Sequence, residues 1–353
     1  MTTLDRQRVQ DFARKLFGHY TSGLLTLMVH LGHRTGLFEV LAQGPGTSAE
    51  IARRAGLDER YVREWLSAMA TGGVVEYEAP AARFTLPAEH AACLTGESSR
   101  NMAAGSQMLP MLSRRVDQVA RCFREGGGVP YEAFKPDFTE AQDASWRLIY
   151  DGLLLKGFLP AVPGLPERLA GGIDVADVGC GTGHAVNVMA RQYPRSRFVG
   201  YDLSAEAIER GRAEARAWGL ANARFDAMDA TRLPPEPRFD LITTFDAIHD
   251  QRDPAAALSR IALALAPDGV YLMLEPRASS RLEENVGQPF TAYMYAMSVL
   301  HCMTVSLADG GAGLGTAWGV DLARRMLGEA GFTRVDVVEA PGPQNNIFIC
   351  RRQ

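Results

Sequence analysis

Two proton-transfer residues follow an apolar run near residue 245. In FDLITTFDAIHDQRDP, His249 and Asp250 come directly after the run, and Glu275 ends the next run, VYLMLEP. A neutral imidazole, with a pKa near 6.5, can accept a proton at neutral pH. A positioned base accelerates a reaction about 10²–10⁴-fold. These residue types make His249 and Asp250 candidates for catalytic proton transfer. The alternatives are a loop histidine hydrogen-bonded for structure and an Asp250 that caps the following turn.

Three glycines at alternate positions follow an earlier apolar run, in DVADVGCGTGHAV. Gly179, Gly181 and Gly183 would let the backbone turn sharply and leave room for a ligand against the main chain. A dinucleotide-binding turn favours G-x-G-x-x-G, but His184 occupies the third glycine's place. The spacing therefore favours S-adenosylmethionine, which has no pyrophosphate. A purely structural turn is the alternative.

Carboxylates end the predicted strands that follow the glycines. Asp202 ends FVGYDLS, where it could accept hydrogen bonds from both ribose hydroxyls of a nucleoside. Asp229 ends ARFDAMD, where its side chain could meet an adenine amino group while the Ala230 amide meets a ring nitrogen. Asp177, inside the first strand, is expected to orient the glycine turn. For Asp202 the alternative is a helix cap, although Ser204 is better placed for that role.

A long insertion, residues 277–318, separates the fifth strand from the last predicted helix. It carries Met and aromatic side chains at helical spacing, which adapt to irregular apolar ligands. Its place at the sheet edge predicts a lid over an acceptor pocket lined by Tyr293, Met297 and His301. A stripe of this kind is also typical of a core. His301, beside Cys302, is a second candidate base or half of a thiol-handling site, and the alternative is a satisfied buried pair.

The elements that must position these residues alternate between strand and helix from residue 173 onward. This order predicts an α/β, doubly wound sheet with helices on both faces, whose ligands bind at the carboxyl ends of the strands. Before residue 100, two helical patterns and two short β-like runs have the order of a winged helix. The predicted domains are 1–100, a helical connector at 101–170 that contributes to the pocket, and 171–353.

Composition narrows the function classes. The 353 residues carry a net charge of -4, which argues against nucleic acid as a partner. Residues 1–100 contain 11 Lys and Arg against 11 Asp and Glu. The five cysteines are scattered without ligand spacing, so no metal site is expected. The charged start and the short apolar runs predict a cytoplasmic protein that is neither exported nor bound to a membrane.

Together these strand ends resemble the class I S-adenosylmethionine-dependent methyltransferases over residues 173–353. The whole chain resembles small-molecule O-methyltransferases with an N-terminal winged-helix dimerisation domain, of plant and bacterial, especially actinobacterial, type. The resemblance implies a Rossmann-like sheet with an antiparallel last strand, S-adenosylmethionine as cofactor and a homodimer. It also implies that His249 is a base oriented by Glu275, and that Leu203 and Phe245 contact the donor.

One part of the family pattern is missing. The family's second orienting acid lies before the final helix, but this stretch reads GLGTAWGVDL, and Asp321 is out of register. Transfer to carbon, nitrogen or sulfur by proximity therefore stays an alternative to transfer to oxygen. A winged-helix DNA-binding regulator that senses S-adenosylmethionine is the alternative from another class of function.

Overall fold

The computed structural model describes residues 4–342 and 344–352 and divides into two compact units after Ser113. The predicted connector, 101–170, therefore has residues in both units. Within the described residues, no single helix is long and apolar enough to cross a bilayer. The bent pair Asp137–Ala161 and Leu165–Gly171 passes that test only in combination. Its buried residues, among them Leu154 and Leu165, pack in the core of the second unit.

The first unit contains helices around a small hairpin. Its elements are α1 (Arg6–Thr35), α2 (Leu37–Ala42), α3 (Ser48–Ala55), α4 (Glu59–Thr71), β1 (Glu76–Glu78), β2 (Arg83–Thr85), α5 (Ala88–Leu94) and α6 (Met108–Ser113). Thr47 and Glu50 form a reciprocal capping box at the start of α3, and Gly56 ends that helix with a φ of 67°. The hairpin pairs Tyr77 with Phe84. Helices α3 and α4 and this hairpin follow the order that the sequence predicts for a winged helix.

The second unit begins with helices and continues into the sheet. Its helices are α7 (Val116–Glu125), α8 (Asp137–Ile149), α9 (Leu165–Gly171), α10 (His184–Gln192), α11 (Ala205–Ala217), α12 (Pro254–Ala264), α13 (Leu282–Asn285), α14 (Thr291–Met297), α15 (Met303–Ala308) and α16 (Val320–Glu329). Two π-helical segments, Tyr150–Phe158 and Ser298–Cys302, continue α8 and α14.

Seven strands form one sheet in the order β5-β4-β3-β6-β7-β9-β8. They are β3 (Asp174–Val178), β4 (Arg197–Asp202), β5 (Ala223–Ala227), β6 (Phe239–Phe245), β7 (Leu265–Pro276), β8 (Arg334–Glu339) and β9 (Asn345–Arg351). The first five are parallel, and β9 runs antiparallel to both β7 and β8. The predicted doubly wound sheet with an antiparallel last strand is confirmed.

The chain reverses its strand order at β3, where β4 lies on one side and β6 on the other. Ligands bind at such a switch point, at the carboxyl ends of the strands. Apolar residues from both faces of the sheet form two large cores, which include Leu272 on one face and Tyr271 on the other. The ends of β3, β4, β6 and β7 are therefore held on a rigid support.

One helix boundary differs from the sequence prediction. The pattern PAAALSRIALALAPDG predicts a helix throughout, but α12 ends at Ala264, and β7 begins at Leu265. Leu265 pairs with Phe239 of β6, and the β6–β7 register then shifts before Leu241. Strand pairing at this position overrides the helical propensity of the apolar residues.

Candidate active site

The glycine turn between β3 and α10 has one open side. Gly179, Gly181 and Gly183 have φ values of 75°, 54° and 74°. A Cβ on Gly179 would lie 2.6 Å from the Ala247 Cβ, and one on Gly183 would lie 2.3 Å from the Phe225 ring. A Cβ on Gly181 would meet nothing within 4 Å. Two of these glycines are required by packing, whereas Gly181 faces free space.

Asp202, at the end of β4, is tied to this turn. Its Oδ2 accepts a hydrogen bond of 2.8 Å from the Gly181 N–H, and its Oδ1 accepts one of 2.8 Å from the Ser204 N–H. Burial raises the pKa of Asp202, and the two N–H donors oppose that rise. Ser204 caps α11, as predicted. The carboxylate of Asp202 is thus fixed beside the open side of Gly181.

Asp177 lies inside β3, with 2% of its surface exposed. The hydroxyl of Thr243, on the neighbouring strand β6, donates a hydrogen bond of 2.7 Å to its Oδ1. Burial raises the pKa of Asp177 to about 7, although the Thr243 hydrogen bond lowers it. The side chain is therefore held within the sheet below the glycine turn.

The structure brings His249 and Glu275 together. Nδ1 of His249 lies 2.7 Å from Oε2 of Glu275, and both residues are buried. The same Oε2 accepts a 3.0 Å hydrogen bond from the Trp318 indole, while Oε1 accepts one of 2.9 Å from the Ile248 N–H. A carboxylate with three donors cannot rotate freely. It therefore fixes the orientation of the imidazole and directs Nε2 away from Glu275.

Other acids surround this pair. Burial raises the pKa of Asp246 to about 8; the neighbouring His249 opposes this rise, whereas Glu275 and Asp250 reinforce it. Burial lowers the pKa of His249, but the negative charges of Glu275 and Asp250 raise it by more than burial lowers it. The pKa therefore lies above its usual value. Asp246 has a φ of 48°, a left-handed conformation that is uncommon outside glycine and often occurs at functional sites. The carboxylates of Glu275 and Asp250 therefore favour a positive charge on His249.

Cys302 of the insertion lies beside the free nitrogen of His249. Three possible metal-ligand atoms lie within 4.8 Å of one another here, one each from His249, Asp250 and Cys302. Nε2 of His249 is 3.4 Å from Oδ1 of Asp250. This oxygen is buried and has no hydrogen-bond partner among the described residues. This oxygen therefore does not cap a turn, which was the alternative interpretation of Asp250.

His301 lies in an aromatic enclosure. Its ring stacks on Phe138, with 3.5 Å between centroids and 8° between planes, and Phe134 and Tyr131 pack against its edges. Burial lowers the pKa of His301 to about 4. Neither ring nitrogen has a partner among the described residues. His301 is thus a neutral, buried imidazole whose hydrogen-bonding capacity is unused.

The remaining predicted residues have different surroundings. Asp229 accepts hydrogen bonds from the N–H and hydroxyl of Thr231, so one of its oxygens caps a short turn. Phe245 packs on Tyr150, with 5.4 Å between ring centroids. Leu203 is 68% exposed and Tyr293 is 56% exposed. Ala230 and His301 are buried, and Met297 is half-buried.

The sequence predicts a connector that contributes to the pocket, but it does not indicate which residues of the segment before α8 are buried. The stretch REGGGVPYEAFKPDF reads as a loose loop, yet its Val129, Phe134 and Phe138 are buried. The Val129 N–H donates a hydrogen bond of 2.9 Å to the Thr304 hydroxyl, and a Cβ on Gly128 would lie 1.8 Å from the Thr304 carbonyl oxygen. This close approach required a glycine. The hydrophobic residues among the turn-forming ones were the signal available in the sequence.

Trp318 was also missed as a functional residue. It lies in the stretch that lacks the second acid of the resembling family, and its indole binds Glu275 rather than His249. An aromatic residue in a glycine-rich segment gives no sequence signal of its hydrogen-bond partner.

Known protein families match both the N-terminal and the C-terminal part of the chain. The model of an Rv2258c-like winged HTH domain matches residues 23–96, and that of a methyltransferase domain matches residues 169–331. A trans-aconitate 2-methyltransferase of Methylobacterium nodulans is 30% identical over 147 residues, which cover 40% of this chain and 55% of that protein. The chain thus spans only about half the length of this curated relative.

Solved structures match over the whole length. A structure described as a putative O-methyltransferase from Nostoc punctiforme has a TM-score of 0.72 at 19% identity and covers 99% of both chains. Human N-acetylserotonin methyltransferase, solved in complex with SAM, has a TM-score of 0.72 at 16% identity, covering 100% of this chain and 99% of that one. These likenesses show the fold. The chain therefore carries an N-terminal winged helix domain and a C-terminal methyltransferase domain of the class I fold.

Proposed function

We propose that this protein transfers a methyl group from S-adenosylmethionine to a hydroxyl oxygen of a small, largely apolar acceptor. The observation that carries the proposal is the buried pair of His249 and Glu275, joined at 2.7 Å at the end of β6. This pair lies at the carboxyl edge of the sheet that also carries the glycine turn and Asp202. The methyltransferase domain match at residues 169–331 supports the reaction class.

The residues at the glycine turn fit the donor. The donor would occupy the free space beside Gly181 and lie against the main chain of the glycine turn. Each oxygen of Asp202 accepts one backbone N–H and keeps a further lone pair, so the carboxylate can still bind two ribose hydroxyls. Asp229, Ala230, Leu203 and Phe245 would border the adenosine, with Asp177 supporting the turn from below. When bound, S-adenosylmethionine supplies a methyl group on a positively charged sulfur.

The role of His249 in this proposal is to take the proton of the acceptor hydroxyl through Nε2, in the neutral form whose population grows as the pH rises toward its raised pKa. Glu275 holds Nδ1, so Nε2 is the nitrogen that remains available. In-line displacement needs an oxygen about 3 Å from the methyl carbon, and fixed orientation contributes much of the rate. Asp250, beside Nε2, would stabilise the imidazolium that forms, in addition to Glu275.

The acceptor pocket is proposed around the insertion. His301 lies in the π-helical segment Ser298–Cys302, beside the Cys302 thiol that approaches His249. Tyr131, Phe134 and Phe138 supply aromatic surface there. A hydrophobic, aromatic acceptor fits such surroundings. Met297 and Tyr293 lie on α14, which precedes the segment that contains His301, and they would border the entrance to this acceptor pocket.

A homodimer through the N-terminal domain is part of the proposal. Helix α1 exposes large apolar side chains at intervals of three or four residues from Val9 to Leu24, and Leu31 follows seven residues later; those between are Phe12, Leu16 and Tyr20. Such spacing places them along one face of the 30-residue helix. A contiguous exposed apolar face of this length is typical of a protein interface.

Two measurements test the central proposal. Calorimetry should detect binding of S-adenosylhomocysteine, and NAD should not bind. Incubation with S-adenosylmethionine and a panel of phenols, carboxylic acids and thiols should add the mass of one methylene to a phenol. If no donor binds, or if only thiols gain mass, methyl transfer to a hydroxyl oxygen is not the activity.

A further inference from the structure

We propose that His249, Asp250 and Cys302 form a binding site for a thiophilic divalent metal ion such as Zn²⁺. The three side chains come from two distant parts of the chain: two follow β6, and the third lies in the insertion. Their ligand atoms all fall within 4.8 Å of one another. Imidazole nitrogen, carboxylate oxygen and thiolate sulfur are the ligands that Zn²⁺ prefers.

The distance between the nitrogen and oxygen ligands fits a tetrahedral ion. With metal–ligand bonds of about 2.1 Å, nitrogen and oxygen ligands of one zinc ion lie about 3.4 Å apart. Nε2 of His249 and Oδ1 of Asp250 are 3.4 Å apart. The carboxylate oxygen is already buried without a hydrogen-bond partner among the described residues, so binding an ion there breaks no hydrogen bond.

The surroundings of His249 match those of a metal-binding histidine. Such a histidine usually donates its second ring N–H to a carboxylate, which fixes the ring orientation. Glu275 has this place at Nδ1, and it is itself held by Trp318 and the Ile248 N–H. The nitrogen that faces Asp250 and Cys302 is therefore fixed before any ion arrives.

Charge and access are also favourable. Binding of the ion releases the protons of the Cys302 thiol and of Nε2 of His249 to solvent. The resulting thiolate and the Asp250 carboxylate neutralise a divalent ion, and a neutral complex has a small desolvation cost in a buried site. The Asp250 side chain is 30% exposed, whereas that of His249 is 4% exposed. Part of the Asp250 side chain therefore reaches solvent, whereas His249 and Cys302 are buried. Three protein ligands leave the fourth position open.

The site has a consequence for the proposed function, on which this part of the inference rests. An ion on Nε2 of His249 occupies the lone pair that would take the acceptor's proton. Zinc should therefore inhibit methyl transfer by competing with the acceptor, while donor binding at the glycine turn continues.

The test uses the full chain after treatment with a chelator. Addition of Co²⁺ should give one equivalent of bound ion with a thiolate-to-cobalt absorption band, and Zn²⁺ should displace it. Cys302→Ser should lose the band, and both Cys302→Ser and Asp250→Asn should weaken zinc binding at least about tenfold, because even indirect ligand supports contribute that much. Cys350→Ser changes another buried cysteine, in β9, and should bind like the wild type. Circular dichroism establishes that each variant is folded.

Absence of stoichiometric binding, or equal binding by wild type and Cys302→Ser, would overturn the site. If Cys302→Ser does not fold, the comparison of wild type with Asp250→Asn decides in the same way. Inhibition by zinc that a chelator reverses supports the link to the base, and activation by zinc contradicts it. Metal binding without any methyl transfer would leave the site in place and reject the proposed function; methyl transfer without metal binding would do the reverse.

Discussion

The Trp318 indole donates a hydrogen bond to Oε2 of Glu275, the same oxygen that lies 2.7 Å from Nδ1 of His249. Trp318 lies in the segment where the resembling family has a second acid. The orientation of His249 here thus depends on one acid held by an indole rather than on two acids.

Trp318→Phe should reduce the turnover number by about tenfold, because a hydrogen bond to a charged group contributes about 1.5–3 kcal/mol. The KM for S-adenosylmethionine should change little, since the glycine turn is untouched. Steady-state kinetics measures both. Trp65→Phe is the matched control: it removes a hydrogen bond of 2.8 Å from a mostly buried indole to the Met28 carbonyl in the first unit. An equal loss of turnover in both variants would contradict the role of Trp318.

His249→Ala should lower O-methylation by about 10²–10⁴-fold, the contribution of a positioned base. The affinity for S-adenosylhomocysteine, measured by calorimetry, should remain within a few fold. His90→Ala, in the first unit, is the control because its ring binds the Val74 carbonyl at the surface. Transfer to a thiol or an amine by proximity would largely persist in His249→Ala, and that result would favour the alternative acceptor classes.

The strand ends were predictable from the sequence because they depend on local patterns. An apolar run followed by an acid or by glycines locates the ends of β3, β4, β6 and β7, and the parallel order brings these ends to one edge. The contact of His249 with Glu275 follows from the same rule, together with the family resemblance. Both signals lie within a few residues of the side chains concerned.

The contacts made by the insertion were not predictable in the same way. Cys302 approaches His249 only because a π-helical segment places residues 298–302, and a π-helix has no reliable sequence signal. Cysteine spacing along the chain indicated no metal site, since two of the three donors are neighbours and the third is 52 positions away. Tertiary packing, rather than motif spacing, assembles this cluster.

Gly181→Ala should weaken donor binding by at least about tenfold, because its Cβ would enter the space proposed for the donor and because alanine disfavours a φ of 54°. Calorimetry with S-adenosylhomocysteine measures the change. Gly219→Ala separates the two causes: its φ is 66° and its Cβ would also meet nothing within 4 Å, but it follows α11 away from the turn. Comparable weakening in both variants would mean that backbone strain, not the occupied space, is responsible.

Phe12→Glu combined with Leu16→Glu should convert a dimer into a monomer, because two charges would enter the apolar face of α1. Light scattering gives the molar mass, and circular dichroism should show unchanged helix content because both side chains are exposed. Tyr61→Glu places the same charge on α4, at a residue that is 81% exposed, and should leave the mass unchanged. A wild-type mass of one chain would already contradict dimerisation through this helix.

The stability of the second unit should fall in acid as Glu214 is protonated. Burial raises the pKa of this carboxyl, but hydrogen bonds from His184, Arg147 and Asn187 outweigh burial and lower it from 4.5 to about 2. A carboxyl whose pKa is lower in the folded state stabilises the protein above its unfolded pKa. The stabilisation, at most about 3 kcal/mol, is therefore lost as the pH falls from about 4.5 to about 2.

Glu214→Gln should remove this part of the acid dependence and lower stability at neutral pH. Urea unfolding between pH 3 and 7 measures both effects. Glu209→Gln is the control on the same helix: its side chain is 60% exposed and pairs with Arg212 at the surface, where ion pairs contribute at most about 1 kcal/mol. If the two variants lose stability in parallel with wild type as the pH falls, other carboxyls cause the acid sensitivity. If only Glu214→Gln gives a flatter curve, the buried link from α8 through Arg147 to Glu214 holds the helices behind the glycine turn.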